Sequence, residues 1–114
     1  MDKKFHVNER AFLNLPTNLR ACVIAFVEDT SIYPACCEEY REGGQISLSI
    51  ADCYNEIELY FDLSTAGERE NSLHKAEKLA DILTRFRDAI EAEVKAIEKR
   101  DALQQHARVA SAVH

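Results

Sequence analysis

Apolar residues recur with the period of an α-helix over the last half of the chain. The stretch from Asn71 to about His106 contains no Gly and no Pro. Its larger apolar residues follow one another at steps of six, four, three, four, four and three: Leu73, Leu79, Leu83, Phe86, Ile90, Val94 and Ile97. This spacing keeps them on one face of a helix. The pattern therefore predicts one long C-terminal helix over about residues 71–106.

Polar residues indicate where this helix begins and how its surface is stabilised. Asn71 or Ser72 is expected as the N-cap, because either side chain can accept a hydrogen bond from the first turn. Two pairs of opposite charge lie at i,i+4 in the favourable order: Asp81–Arg85 and Glu91–Lys95.

The apolar stripe ends before the helix does. From Leu79 to Ile97 it spans about 27 Å, which suits a domain of roughly 34 Å diameter. Four charged residues follow at 98–101, and helix beyond them cannot be buried in its own domain. Residues 102–114 are therefore expected either to fray or to meet another subunit. The contacts predicted for a homodimer are Ala102, Leu103 and Ala107.

Strict alternation of apolar and polar residues predicts a β-hairpin over about residues 45–63. A turn at Cys53-Tyr54 would pair Ile50 with Ile57, Leu48 with Leu59 and Ile46 with Phe61. A four-residue loop over 52–55 is equally acceptable. Every apolar residue of the hairpin then shares one face, which is expected to pack on the long helix. A third strand from residues 21–28 is the alternative support, since a lone hairpin is marginally stable.

The first part of the chain favours short helices. Asn8 can cap a brief helix that runs to about Asn14, and Pro16 separates it from the next segment. Residues 17–29 fit a helical face but would also serve as a buried strand, and helix is the favoured interpretation. Pro34 and Gly43 suit the start and the end of another short helix.

Together these elements predict an α+β fold in a single domain, residues 1–114. Short N-terminal helices precede an antiparallel hairpin that packs on one long C-terminal helix. No stretch is long and apolar enough for a membrane span, and the first ten residues lack the apolar segment of a secretory signal. The cytoplasm is the compartment expected.

The net charge of −6 is concentrated in the middle of the chain. Residues 38–70 contain nine acids and two bases, which gives −7, and the other residues contain eleven acids and twelve bases, which gives +1. Such a surface repels nucleic acid and favours a basic partner. The residues expected to bind that partner are Glu38, Glu39, Glu42, Glu56, Glu58, Tyr60 and Asp62.

The function predicted is that of a non-enzymatic, acidic protein–protein interaction module, a homodimer that binds a basic protein through its hairpin side. One alternative is an inhibitor of the phage or mobile-element type that mimics nucleic acid. The other is a small-molecule or metal-binding domain that uses its cysteines and His74. An ordinary solvated face is the competing interpretation of the acidic residues.

The remaining motifs do not support catalysis or a cofactor. Four cysteines are present (Cys22, Cys36, Cys37 and Cys53), and buried free thiols are expected in the cytoplasm. Adjacent cysteines do not form the C-x-x-C knuckle of zinc sites, so no metal ligand is predicted. Gly43-Gly44 precedes a strand, whereas phosphate loops place glycines between a strand and a helix. No nucleophile, base and stabiliser can be named together.

Overall fold

A computed structural model describes residues 3–33 and 44–112. Four strands form one antiparallel sheet in the order β1-β2-β3-β4, and a long helix follows them, so the α+β class is confirmed. The elements are β1 (Lys4–Phe12), β2 (Ala21–Asp29), a 3-10 turn (Thr30–Ile32), β3 (Ile46–Asp52), β4 (Asn55–Leu59) and α1 (Ala66–Ala112). The chain divides into two compact units, Met1–Leu73 and His74–His114.

The prediction of short N-terminal helices is wrong. The segment expected to be helical from Asn8 lies in β1, and most of the ambiguous segment 17–29 forms β2. β2 pairs with β1 on one side and β3 on the other, and a central strand carries a nearly continuous apolar run. Such a run also satisfies helical spacing, so periodicity could not separate the two states. The β-branched residues Val23, Ile24 and Val27 favour the strand.

The hairpin prediction is confirmed in its register and in its shorter turn. Leu48 pairs with Leu59 and Ile50 with Ile57, and the turn consists of Cys53 and Tyr54. Cys53 adopts a φ of +57°, a left-handed conformation that non-Gly residues seldom take. β4 ends at Leu59, so the expected pairing of Ile46 with Phe61 lies beyond the ladder. The structure has the strand that was the less favoured alternative for residues 21–28, and this strand, β2, pairs with β3.

The long helix begins earlier than predicted. Thr65, rather than Asn71 or Ser72, caps it: its Oγ1 accepts a hydrogen bond from the Glu68 N–H at 3.1 Å, and its carbonyl accepts from Arg69 at 2.9 Å. Thr65 and Glu68 have the spacing of a capping box. The helix continues to Ala112, through residues expected to fray. Both predicted i,i+4 ion pairs are present: Asp81–Arg85 at 2.9 Å and Glu91–Lys95 at 3.2 Å.

Ser72 has a structural role that differs from the predicted cap. Ser72 is only 5 % exposed. Its Oγ donates a hydrogen bond to the Asp62 carbonyl at 2.7 Å and accepts one from the Asp62 N–H at 2.9 Å. Asp62 therefore has both backbone polar groups satisfied by one serine. This contact joins the segment after β4 to the second turn of α1.

One predicted element lies outside the described residues. The short helix expected between Pro34 and Gly43 falls in residues 34–43, which the structure does not describe. The same holds for two cysteines and for three of the predicted partner-binding acids: Cys36, Cys37, Glu38, Glu39 and Glu42.

Candidate interaction surfaces

The register of the sheet separates two faces of different chemistry. Cross-strand partners share a face, and neighbours along a strand alternate between faces. One side, termed the apolar sheet face, carries one charged residue, Glu9, among the apolar residues Val7, Ala11, Val23, Ala25, Val27, Ile46, Leu48, Ile50, Ile57 and Leu59. The other side, termed the polar sheet face, carries the polar residues Asn8, Arg10, Ser47, Ser49, Glu56 and Glu58 together with Phe5, Phe12, Cys22, Ile24, Phe26 and Ala51.

The hairpin part of the polar sheet face is acidic. Glu56 and Glu58 project from β4, which forms one edge of the sheet. The Ser47 Oγ donates to the Glu58 Oε1 at 3.0 Å, so this carboxylate is held across the β3–β4 pair. Residues 44–65 contain four acids and no Lys, Arg or His. The hairpin therefore presents negative charge that no basic residue of the same segment offsets.

An open groove of about 440 Å³ brings three of the predicted partner-binding residues together. Glu58, Tyr60 and Asp62 line it, beside Phe26 and Phe61. The Tyr60 side chain is 75 % exposed. The groove thus combines carboxylates with aromatic rings at the end of the hairpin. Glu56 lies on the same sheet face as Glu58, two residues before it in β4.

The predicted dimerisation residues lie on α1 and do not share one side of it. Leu103 is 63 % exposed, and Ala102 and Ala107 are also exposed. At about 100° per residue, Leu103 and Ala107 lie near one another on the helix surface, whereas Ala102 lies about 100° or more away. Their role in a dimer stays a prediction.

The cysteines within the described residues are free thiols. Cys22 is half-buried in β2 and Cys53 is exposed in the hairpin turn. Within residues 3–33 and 44–112, no group of three or more His, Cys, Asp or Glu side chains could hold a metal ion. No observation in this part of the chain therefore favours the metal-binding alternative with His74.

A buried carboxylate that sequence reasoning missed closes the end of the β2–β3 pair. Glu28 is 4 % exposed, its Oε2 accepts from the Tyr33 hydroxyl at 2.5 Å and its Oε1 accepts from the Gln45 N–H at 2.9 Å. The Glu28 N–H donates to the Gln45 carbonyl at 2.8 Å. Glu28 thus fixes residues on both sides of segment 34–43. Its only signal in the sequence is an acid that follows an apolar run.

Two half-buried aspartates form local turns that depend on their charge. The Oδ1 atoms of Asp29 and Asp62 accept from the N–H groups of Ser31 and Ser64 at 2.9 Å and 2.8 Å. Hydrogen bonds from these serines lower the pKa of both carboxyls from the usual value of 3.8. His6, 3.8 Å from Asp29, adds a smaller effect in the same direction when it is protonated.

Acid is expected to weaken the fold through these two aspartates. Because their pKa values are lowered in the folded state, their contribution to stability is complete above about pH 4 and is lost as the pH falls further. Urea unfolding between about pH 5 and pH 2 measures this loss. The D29N/D62N double variant keeps the acceptor oxygens but not the charge, so its stability should fall less over that range. Parallel pH profiles for the two proteins would contradict the prediction.

Large apolar surfaces remain exposed in the single chain. Among the described residues, Ala21 is the one apolar residue that is buried. The side chains of the apolar sheet face are half-buried or exposed, and the loop before β2 exposes Leu13, Leu15 and Leu19. The stripe of α1 was expected to be buried, yet its side chains from Leu83 to Ile97 are 41 to 61 % exposed. The packing of the hairpin on the helix stays a prediction.

Comparison of the chain with protein-family models, with curated proteins and with solved structures gave no match. Over residues 3–33 and 44–112, no helix is both long and apolar enough to cross a membrane.

Proposed function

We propose that the chain is a non-enzymatic protein–protein interaction module that binds a basic partner through the acidic side of its hairpin. One observation carries the proposal: the segment 44–65 holds four acids and no basic residue, and two of those acids, Glu56 and Glu58, project together from the polar sheet face. Uncompensated charge of one sign steers a partner of opposite charge and excludes partners of the same charge.

The groove beside these carboxylates supports the same proposal. Tyr60 is an exposed aromatic residue between Glu58 and Asp62, and Phe61 lines the groove with them. Aromatic side chains are enriched at the centres of protein interfaces, where they supply most of the binding energy. Charge would therefore direct the partner to the hairpin, and the aromatic residues would supply contact area once it is bound.

The module is proposed to act without catalysis, in the cytoplasm. Glu56 and Glu58 lie on an exposed edge strand, and the groove that Glu58 lines is open to solvent, whereas acid–base chemistry by paired carboxyl groups needs an enclosed cleft. The free thiols of Cys22 and Cys53 are consistent with a reducing compartment.

The nucleic-acid mimic is a more specific form of this proposal. Glu56 and Glu58 are alternate residues on one strand, which places their Cα atoms about 7 Å apart on one face. A row of negative charge on a surface can occupy the nucleic-acid site of a basic protein. This form predicts that the captured partner binds DNA or RNA and that the chain competes for the same site. A partner that binds the chain and nucleic acid at once would exclude it.

Charge reversal on the hairpin tests the proposal. The tagged chain, its E56K/E58K variant and the matched control E77K/D88K are compared for capture of proteins from native cell extract. The control makes the same change in net charge on exposed positions of α1. Asp62 is left unchanged because it caps the Ser64 turn.

The E56K/E58K variant is expected to capture at least about tenfold less partner than the unchanged chain, because two introduced lysines would then face a basic surface. The control should retain the partner at the level of the unchanged chain. Equal capture by all three proteins would overturn the proposal.

A further inference from the structure

The exposed stripe of α1 follows a regular eleven-residue repeat. Leu79, Leu83 and Phe86 recur eleven residues later as Ile90, Val94 and Ile97. Eleven residues make about three full turns of helix, so the stripe runs nearly straight along α1. Leu79 is half-buried and the other five side chains are exposed. An apolar stripe of this kind requires another surface to cover it, either the sheet of the same chain or a second chain.

The charges beside the stripe are segregated along the helix. Each residue turns the helix by about 100°. A charged residue is counted as flanking when it lies within about 130° of the stripe's centre, measured around the helix axis, and as behind the stripe when it lies further round. Between residues 75 and 88 the flanking charges are all basic, namely Lys75, Lys78 and Arg87, and Arg85 lies at the margin of the flank. In the C-terminal half they are acidic except for Arg100: Glu91, Glu93, Glu98 and Asp101. The charges behind the stripe have the opposite order: Glu77, Asp81 and Asp88, then Lys95 and Lys99.

We propose that α1 pairs with α1 of a second copy of this chain in antiparallel orientation, along the stripe from Leu79 to Ile97. A two-fold axis near residue 88 then sets Leu79 level with Ile97 of the second copy. The next layers combine Leu83 with Val94 and Phe86 with Ile90. Each layer is apolar on both sides and occurs twice, as a two-fold interface requires.

Charge complementarity selects a second copy as the occupant and fixes the orientation. Antiparallel pairing sets the basic half of one helix beside the acidic half of the other. On one flank Arg87 lies near Glu91 of the second copy, and on the other flank Lys78 and Arg85 are the bases nearest to Glu93. Lys75 beside Arg100 of the second copy is the one approach of like charges. Parallel pairing would set basic beside basic and acidic beside acidic, which is unfavourable. The pattern of α1 is therefore complementary to itself.

The ion pairs within the single helix do not oppose this arrangement. Arg85–Asp81, Arg87–Asp88, Lys95–Glu91 and Arg100–Glu93 have exposed side chains in the chain. Exposed pairs of this kind contribute little to stability, so an arginine can keep its acid on the same helix or share it with the second copy. The seam lies N-terminal to Ala102, Leu103 and Ala107. This inference is independent of the basic partner proposed for the hairpin.

Sedimentation equilibrium of the full chain tests the seam. The unchanged chain should have the mass of two copies. I90K should raise the dissociation constant at least about 100-fold, because each dimer would then bury two lysine ammonium groups. A92K, on the opposite side of α1, and L103K, beyond the seam, should remain dimeric. The mass of one copy for the unchanged chain, or a dissociation constant for I90K equal to that of A92K, would overturn the proposal.

Cysteine crosslinking tests the orientation. L83C and V94C chains with different tags are mixed and mildly oxidised, and the linked peptides are identified by mass spectrometry. Antiparallel pairing predicts a link between residue 83 of one copy and residue 94 of the other. In this arrangement residue 83 of one copy lies level with residue 94 of the other, so the two copies of residue 83 are about 16 Å apart along the axis. That distance is beyond the reach of a disulfide, so no 83–83 link is expected in L83C alone. An 83–83 link would overturn the antiparallel arrangement.

Discussion

Replacement of Glu28 by leucine is expected to lower the free energy of unfolding by about 2–4 kcal/mol. The carboxylate is buried and accepts from the Tyr33 hydroxyl and the Gln45 N–H. Leucine has a similar volume but no acceptor, so both donors would lose this acceptor in a site with little access to water. Glu28→Gln keeps one acceptor oxygen and should lose less stability. Urea unfolding followed by circular dichroism measures both changes.

The control for Glu28 is a glutamate of the same sheet that is exposed. Glu58→Leu removes a hydrogen bond from Ser47 at the surface, where water replaces the lost partner, so it should cost less than about 1 kcal/mol. Equal losses for Glu28→Leu and Glu58→Leu would show that the buried carboxylate does not hold the ends of segment 34–43 together.

Replacement of Gly44 by alanine is also expected to have a large effect: it should lower the free energy of unfolding by about 2–4 kcal/mol. Gly44 has a φ of +74°, where an L side chain is strained, and an added Cβ would lie 2.5 Å from the Thr30 Cγ2 and 3.2 Å from the Glu28 Oε1. The substitution therefore disturbs the Glu28 contacts as well as the backbone. Unfolding in urea under the conditions used for Glu28 measures the effect.

Two further variants separate the causes of the Gly44 effect. Gly67→Ala, in the first turn of α1, meets no atom within 4 Å and should be neutral or stabilise the helix by up to about 1 kcal/mol. Thr30→Ser removes the Cγ2 atom, so in the Gly44→Ala background it should restore the part of the loss that is due to the clash. A Gly44→Ala protein as stable as Gly67→Ala would contradict this account.

The hairpin and the helix could be predicted because each carries its own period. Leu48 and Ile50 alternate with polar residues, and cross-strand pairing fixes their partners once the turn is placed. The stripe of α1 has the helical period over several turns. In both elements the local pattern agrees with the final structure, and the register of the hairpin followed from it.

β1 and β2 could not be predicted from local pattern because pairing decides their state. Val23 to Val27 form an unbroken apolar run, whose spacing fits a buried strand as well as a helix. β1 is an edge strand that depends on β2 for its hydrogen bonds. Local preference is a weak guide where such pairing is available. The N-cap was misplaced for a similar reason, since Ser72 is engaged by Asp62 from an earlier part of the chain.

Part of the candidate site could be predicted from local pattern, and part depends on contacts between distant segments. Glu56 and Glu58 could be assigned to one face from alternation alone, and the register confirms that placement. The groove with Phe26 could not be foreseen, because Phe26 lies on β2 and reaches the site through the sheet. Glu28 accepts a hydrogen bond from the N–H of Gln45, seventeen positions away, and no local period encodes this contact.

Salt dependence of binding tests the central claim most directly. The partner captured by the chain is purified and titrated with the unchanged protein and with E56K/E58K at about 0.05 M and 0.3 M salt. Exposed charges are screened over roughly 10 Å at 0.1 M salt and more strongly at higher concentration. The account predicts that affinity for the unchanged chain falls at least about tenfold between the two concentrations, and that E56K/E58K binds weakly at both. Affinity that is independent of salt and the same for both proteins would contradict it.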